Sequence, residues 1–251
     1  HRDLHSFPTR RSSDLVDNSI YWLTEKGFVV RAEGYRPMIV STQKVSDDIQ
    51  SWNSFSDAIA YAWTWRNHTF YVLTSPSANK TWVYDISTNL WWRWYSSENE
   101  GRHRSNCYAY FNGRHLVGDF ANGKIYEIDG STYTDNGWYI PREVESAVIR
   151  NDGLRNMFFH SLKIEMKSGV GLAEYSGDSW NPSIMLRYSD DQGRTWSDEV
   201  WMSIGKIGEY ATIATARRLG ASRHRQFKIR ISPPVEVVIY AGHINYTEAS
   251  S

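Results

Sequence analysis

Eight consecutive residues, Ser189-Asp190-Asp191-Gln192-Gly193-Arg194-Thr195-Trp196, carry the most specific chemical pattern in the chain. They match the Asp-box sequence Ser-x-Asp-x-Gly-x-Thr-Trp at every fixed position. Asp191 is spaced to accept hydrogen bonds from its own turn. Gly193 supplies a backbone conformation denied to residues with a Cβ, and Trp196 can fold its ring over the hairpin. The chemistry this points to is structural: Ser189, Asp191, Gly193, Thr195 and Trp196 staple one turn.

A catalytic reading asks for more residues than these. Asp boxes occur in sialidases, where they decorate the fold away from the catalytic centre. A sialidase also needs several arginines gripping a carboxylate, a Tyr/Glu nucleophile pair and more than one box. The chain has one box and no Arg-Ile-Pro segment. Gly169-Val170-Gly171 runs on into Leu172-Ala173-Glu174 without a third glycine and reads as a chance match to a dinucleotide loop. Gly177-Asp178-Ser179 is followed by Trp180, has no general base marked near it, and reads as a loop. His68, His103, His115, His160, His224 and His243 show no spacing that aims two rings at one metal. The single cysteine, Cys107, excludes an internal disulfide and multi-cysteine zinc sites. The expectation is no catalytic residue, no cofactor and no metal.

Formal net charge is zero, so only a local patch can attract a charged partner. The densest positive cluster is Arg217, Arg218, Arg223, His224 and Arg225, with Lys228 and Arg230 beyond it; Arg102-His103-Arg104 is smaller. Two readings stay open: a solvated edge or loop, or a contact in which guanidinium groups grip carboxylate or phosphate in two-pronged geometry. The candidate interface residues are therefore Arg217, Arg218, Arg223, Arg225, Arg102 and Arg104. Neither cluster has the aromatic platform of a single-strand binder.

The elements that carry these residues read as strands. An aromatic strand, a Gly/Asn/Ser turn and a second aromatic strand occur three times: Ile20-Tyr21-Trp22-Leu23 with Phe28-Val29-Val30, Phe70-Tyr71-Val72-Leu73 with Trp82-Val83-Tyr84-Asp85, and Leu116-Val117-Gly118 with Ile125-Tyr126-Glu127-Ile128-Asp129. Their second strands lie roughly 40 to 55 residues apart, the period of a four-stranded propeller blade. Tyr84-Asp85-Ile86-Ser87-Thr88-Asn89-Leu90-Trp91 is similar to a kelch-type turn. Phe, Tyr and Trp at 15% of residues favour pleated surfaces with cross-strand ring pairs. Residues 41 to 56 and 96 to 105 hold few apolar side chains and read as loops. No apolar run approaches the roughly 18 residues of a membrane helix.

After Pro141 the style changes. Residues 158 to 166 read as a strand with His160, Leu162, Ile164 and Met166 on one face and Phe159, Ser161, Lys163 and Glu165 on the other. Residues 183 to 188 and 226 to 232 also read as strands, the latter with Phe227, Ile229 and Ile231 inward. Residues 211 to 220 fit helix or strand. Residues 1 to 15 have no hydrophobic period and no initiating Met, and resemble a translated sequencing adapter. The expected organisation is a non-native segment at 1–15, propeller blades at 16–140 and a sandwich-like all-β unit bearing the Asp-box hairpin at 141–251. Natural sequence would begin near Val16, inside a repeat, as the C-terminal portion of a longer protein.

Taken jointly, several segments resemble the packaged-DNA stabilisation proteins of short-tailed phages, which are tail accessory or hub proteins. The segments are Arg102-His103-Arg104-Ser105-Asn106-Cys107-Tyr108-Ala109-Tyr110, His115-Leu116-Val117-Gly118-Asp119, Gly123-Lys124-Ile125-Tyr126-Glu127, Gly205-Lys206-Ile207-Gly208-Glu209-Tyr210, Met185 through Ser197, and Arg217-Arg218-Leu219-Gly220 through Arg223. The resemblance covers nearly everything after Val16. It implies a non-catalytic virion component, assembled in the host cytoplasm. This would act as a ring of six copies below the portal that plugs the tail, retains packaged DNA and joins a portal-side adaptor to a tail needle or tailspikes. It also implies indirect contact with packaged DNA and no membrane. The competing reading is an Asp-box glycan-binding or sialidase-like domain.

Overall fold

The computed structural model describes residues 13–16, 19–96, 101–151, 153, 155–172 and 180–249. Residues 1–12 and the Gly177-Asp178-Ser179 block lie outside the described residues. The described chain is all-β apart from one short helix and divides into two compact units, His1–Gly130 and Ser131–Ser251.

In the first unit, Ser13–Val16 (β1), Ser19–Leu23 (β2), Val29–Glu33 (β3) and Arg36–Ile39 (β4) form an antiparallel sheet in chain order. Helix Gln43–Gln50 (α1) follows. A second sheet holds Ile59–Trp65 (β5), His68–Ser75 (β6), Lys80–Asp85 (β7) and Leu90–Trp94 (β8), and a third holds Ser105–Phe111 (β9), Arg114–Asp119 (β10) and Ile125–Glu127 (β11). The three aromatic hairpins read from the sequence are β2–β3, β6–β7 and β10–β11, one within each sheet, so each sheet is one blade.

The middle blade is covered on both sides. Pairing of Tyr71 with Tyr84 and Leu73 with Trp82 puts these four on one face, packed against Tyr21, Leu23 and Val29 of the first blade. Tyr61, Trp63, Val72 and Val83 occupy the opposite face, against Val117, Tyr108 and Tyr126 of the third blade. The Tyr61 and Tyr108 rings stack there at 5.4 Å. A strand buried on both faces needs a continuous apolar run in place of alternation, which is what Phe70-Tyr71-Val72-Leu73 supplies. Burial pushes the Tyr61 and Tyr71 phenols well above their ordinary pKa.

Helix α1 corrects the loop reading of residues 41 to 56. The Thr42 side chain caps it by accepting from the Val45 amide, and Val45 and Ile49, one turn apart, are buried in the core between the first two blades. Asp48 accepts from the Trp82 indole at 2.9 Å and pairs with Lys80, which fixes the helix to β7. Three buried apolar residues in sixteen, Val45, Ile49 and Trp52, are too few to raise the local hydropathy.

In the second unit, Thr134–Asp135 (β12) and Trp138–Tyr139 (β13) make a small hairpin. One sheet has Arg142–Glu145 (β14), Ile149–Arg150 (β15), Ser183–Ser189 (β17), Val200–Ser203 (β18) and His224–Ile231 (β21), ordered β14-β21-β17-β18 with β15 also on β21. The other has Met157–Met166 (β16) paired on one side with Ile239–Glu248 (β22) and on the other with Ala214–Arg217 (β19) and Ala221–Ser222 (β20). Leu162, Ile164 and Met166 of β16 share a core with Ile184, Leu186, Phe227, Ile229 and Ile231 of the facing sheet, which makes a sandwich. Residues 211 to 220, open between helix and strand, contain β19.

One facing assignment is corrected on β16. Phe159, placed with Lys163 and Glu165 by strict alternation, is 2% exposed and lies in the core with Leu162 and Ile164. Phe159 pairs with Tyr246 and Ser161 with Asn245, so His160 is an extra residue on this strand. That bulge resets the phase, turning Phe159 inward and leaving His160 exposed.

Candidate functional site

The Asp box starts at Ser189, the last residue of β17, and continues into the connection to β18. Asp191 Oδ1 accepts from the Ser189 hydroxyl at 2.7 Å and the Thr195 amide at 2.8 Å, and Oδ2 accepts from the Thr195 hydroxyl at 2.5 Å. The Gly193 amide donates to Ser189 Oγ at 2.8 Å, with Gly193 at φ +87°. The Thr195 and Ser189 donors hold the Asp191 carboxyl far below the usual carboxylate range. Trp196 lies beside Gly193, with the Lys228 ammonium 4.3 Å from its ring centroid. Both carboxylate oxygens of Asp191 are occupied within the turn, which leaves this group closing a loop and not gripping a ligand.

Arg225 has a role that sequence reasoning missed. Its side chain is 1% exposed, and Nε and Nη2 each donate to Asp190 at 2.7 Å in a two-pronged pair. Nη1 donates to the Leu219 carbonyl, and the guanidinium sits 4.5 Å from the Phe159 ring centroid and 4.2 Å from that of Tyr188. The variable second position of the Asp box is thereby tied to the sandwich core. The signal was available: on β21 residue 225 falls on the same face as Phe227, Ile229 and Ile231.

The other candidate arginines divide in the same way. Arg104 pairs with Asp119 at 2.9 Å, their side chains 7% and 0% exposed. Burial pushes the Asp119 carboxyl up, but the Ala121 amide and the Arg104 guanidinium outweigh it and hold the group below its ordinary pKa. Arg102 is buried with its guanidinium 3.7 Å from the Phe120 ring centroid, its backbone amide donating to Asn79 Oδ1 at 3.0 Å. Arg217, Arg218 and Arg223 are exposed. They flank the short connection between β19 and β20, both of which pair with β16, so the three cations share one edge of that sheet. Among the six candidate arginines, these three are the ones left exposed.

An open recess of about 600 Å³ in the first unit is lined by Leu15, Ala62, Trp63, Tyr108, Tyr110 and His115, with Thr64 and Thr69 beside them. Its histidine is engaged by the Tyr108 hydroxyl at 2.9 Å. The Gly169-Val170-Gly171 segment is a packing device: a Cβ on Gly171 would lie 2.6 Å from the Trp180 carbonyl oxygen and 3.0 Å from the Ile207 nitrogen, both backbone atoms. Gly171→Ala should therefore lower stability by about 1–3 kcal/mol, read as a lower urea midpoint. An unchanged midpoint would show that this contact is not tight.

Consecutive aromatic blades followed by a β-sandwich define an all-β protein of two compact units. A family model described as "Bacteriophage P22 Gp10, beta-propeller" matches residues 17–133, and one described as "Bacteriophage P22 Gp10, beta-sandwich" matches residues 141–247. Together they span most of the chain, and it belongs to this family of phage proteins that stabilise packaged DNA. No curated protein matches it. One solved structure, a "Glycoside hydrolase", is 9% identical over 94% of this chain and 70% of that chain, with a TM-score of 0.24; at that score the likeness carries no argument.

Proposed function

We propose that this chain is a virion tail component that retains packaged DNA by plugging the channel beneath the portal, without a catalytic step. The observation that carries this reading is the run of two family matches, propeller then sandwich, over both compact units. In this reading the chain is assembled in the host cytoplasm, acts as a ring of six copies, and joins a portal-side adaptor to a tail needle or tailspikes. Multiplied contacts around such a ring would give the plug its strength. Arg217, Arg218 and Arg223 supply a cationic edge for a carboxylate- or phosphate-bearing neighbour, including packaged DNA.

The test is reconstitution of DNA-filled particles. Particles completed with this chain should keep their genomes against nuclease, and particles lacking it should release them. Replacing Arg217, Arg218 and Arg223 together by glutamate should give release close to that of particles lacking the chain. Retention in the absence of the chain would overturn the plug reading.

A further inference from the structure

We propose that the open recess of the first unit binds a neutral saccharide, one sugar ring lying against its aromatic wall. The recess sits where the three blades converge. β1, β5 and β9 are the first strands of their blades, and β5 lies beside both of the others, as strands around a propeller's central channel do. Ala62, Trp63 and Thr64 reach the recess from β5, and Tyr108 and Tyr110 from β9. Its volume of about 600 Å³ falls in the ordinary range of small-molecule sites.

The aromatic wall is braced from behind. Trp63 is 6% exposed and contacts the Phe70 ring at 5.1 Å and the Trp94 ring at 6.1 Å. Tyr108 stacks on buried Tyr61, and its hydroxyl meets His115 Nδ1 at 2.9 Å. The His115 ring lies 5.5 Å from that of Trp63 and 5.0 Å from that of Tyr110. Rings already held in place lose little freedom when a ligand stacks on them. Tyr110 is 63% exposed, which leaves a large ring uncovered at the rim. Neutral polar groups lie around these rings. The Thr64 and Thr69 hydroxyls are 3.5 Å apart. The Ala62 amide points away from β6 to Asp14, so Thr64, two residues on, turns its own amide and carbonyl to the same free edge of β5. His115 Nε2 has no hydrogen-bond partner among the described residues.

The lining selects the ligand. Among the described residues no Lys, Arg, Asp or Glu lines the recess, so a nucleotide or an acidic ligand would bring a charge that nothing there balances. A hydrocarbon chain would leave the threonine hydroxyls and the strand edge without partners. A sugar ring meets both demands: its C–H groups suit the electron-rich face of an aromatic ring, and its hydroxyls reach the polar groups at the margin. The site shares no residue with the Asp box. It goes beyond the proposed plug role and does not depend on it.

The test titrates maltose, cellobiose, lactose and diacetylchitobiose into the full chain and follows the sugar protons by saturation-transfer difference NMR. At least one should bind with a millimolar or tighter Kd. Tyr110→Ala, at an exposed position and with its fold checked by circular dichroism, should weaken that binding about three- to tenfold, whereas Tyr110→Phe should keep it. Thr64→Val should weaken binding while leaving the fold unchanged. No signal from any of the four sugars at millimolar concentration, or an unchanged Kd in Tyr110→Ala, would overturn the proposal. So would a recess that takes a thymidine dinucleotide or a proline-rich peptide and none of the sugars.

Discussion

Asp190→Ala should destabilise the second unit by about 3–5 kcal/mol and lower its melting temperature by more than about 10 °C. The reason is asymmetric burial. Arg225 is 1% exposed and Asp190 is 41% exposed, so deleting the carboxylate strands a cation inside the sandwich. The Phe159 and Tyr188 rings and the Leu219 carbonyl remain beside it but do not balance a full charge. Arg225→Met should cost less, because it removes the buried charge, fills part of the space and leaves Asp190 able to reach water. Calorimetry of the two variants decides the matter. If Arg225→Met is the more damaging, packing and not charge compensation dominates at this site.

Leu73→Ala should cost about 2–5 kcal/mol in the first unit. Leu73 is fully buried between the first two blades and packs with Tyr71, Trp82 and the α1 side chains Val45 and Ile49. Collapse into the vacancy is opposed because the middle blade is clamped from its other face as well. Urea unfolding followed by tryptophan fluorescence reads this change directly, since most of the tryptophans precede residue 95. A loss below about 1 kcal/mol would mean that the blades slide together to fill the gap.

The blades were legible because their signal is local: two aromatic strands joined by a turn are visible within a dozen residues, and all three hairpins lie within the observed sheets. Phe227, Ile229 and Ile231 were legible for the same reason, since β21 keeps an unbroken period of two. Phe159 was not, because a bulge at His160 leaves no trace in the alternation until the pairing partners are known. Helix α1 was hidden by its polar surface, although Thr42 as a cap and the four-residue spacing of Val45 and Ile49 were there to be read. The arginines divide along the same line. Arg104 and Asp119 are 15 positions apart and meet across a sheet, a partnership no local pattern displays. Arg225 was read by its charge when its place on the strand already put it inside.

The double coverage of the middle blade also bears on synthesis. A ribosome adding about 5–20 residues per second releases β5 to β8 before the third blade exists. For roughly a few seconds Trp63, Val72 and Val83 face solvent uncovered. Nascent chains of this protein are then at their most vulnerable to cross-pairing with one another, and slowing translation between residues 95 and 127 should increase the insoluble fraction.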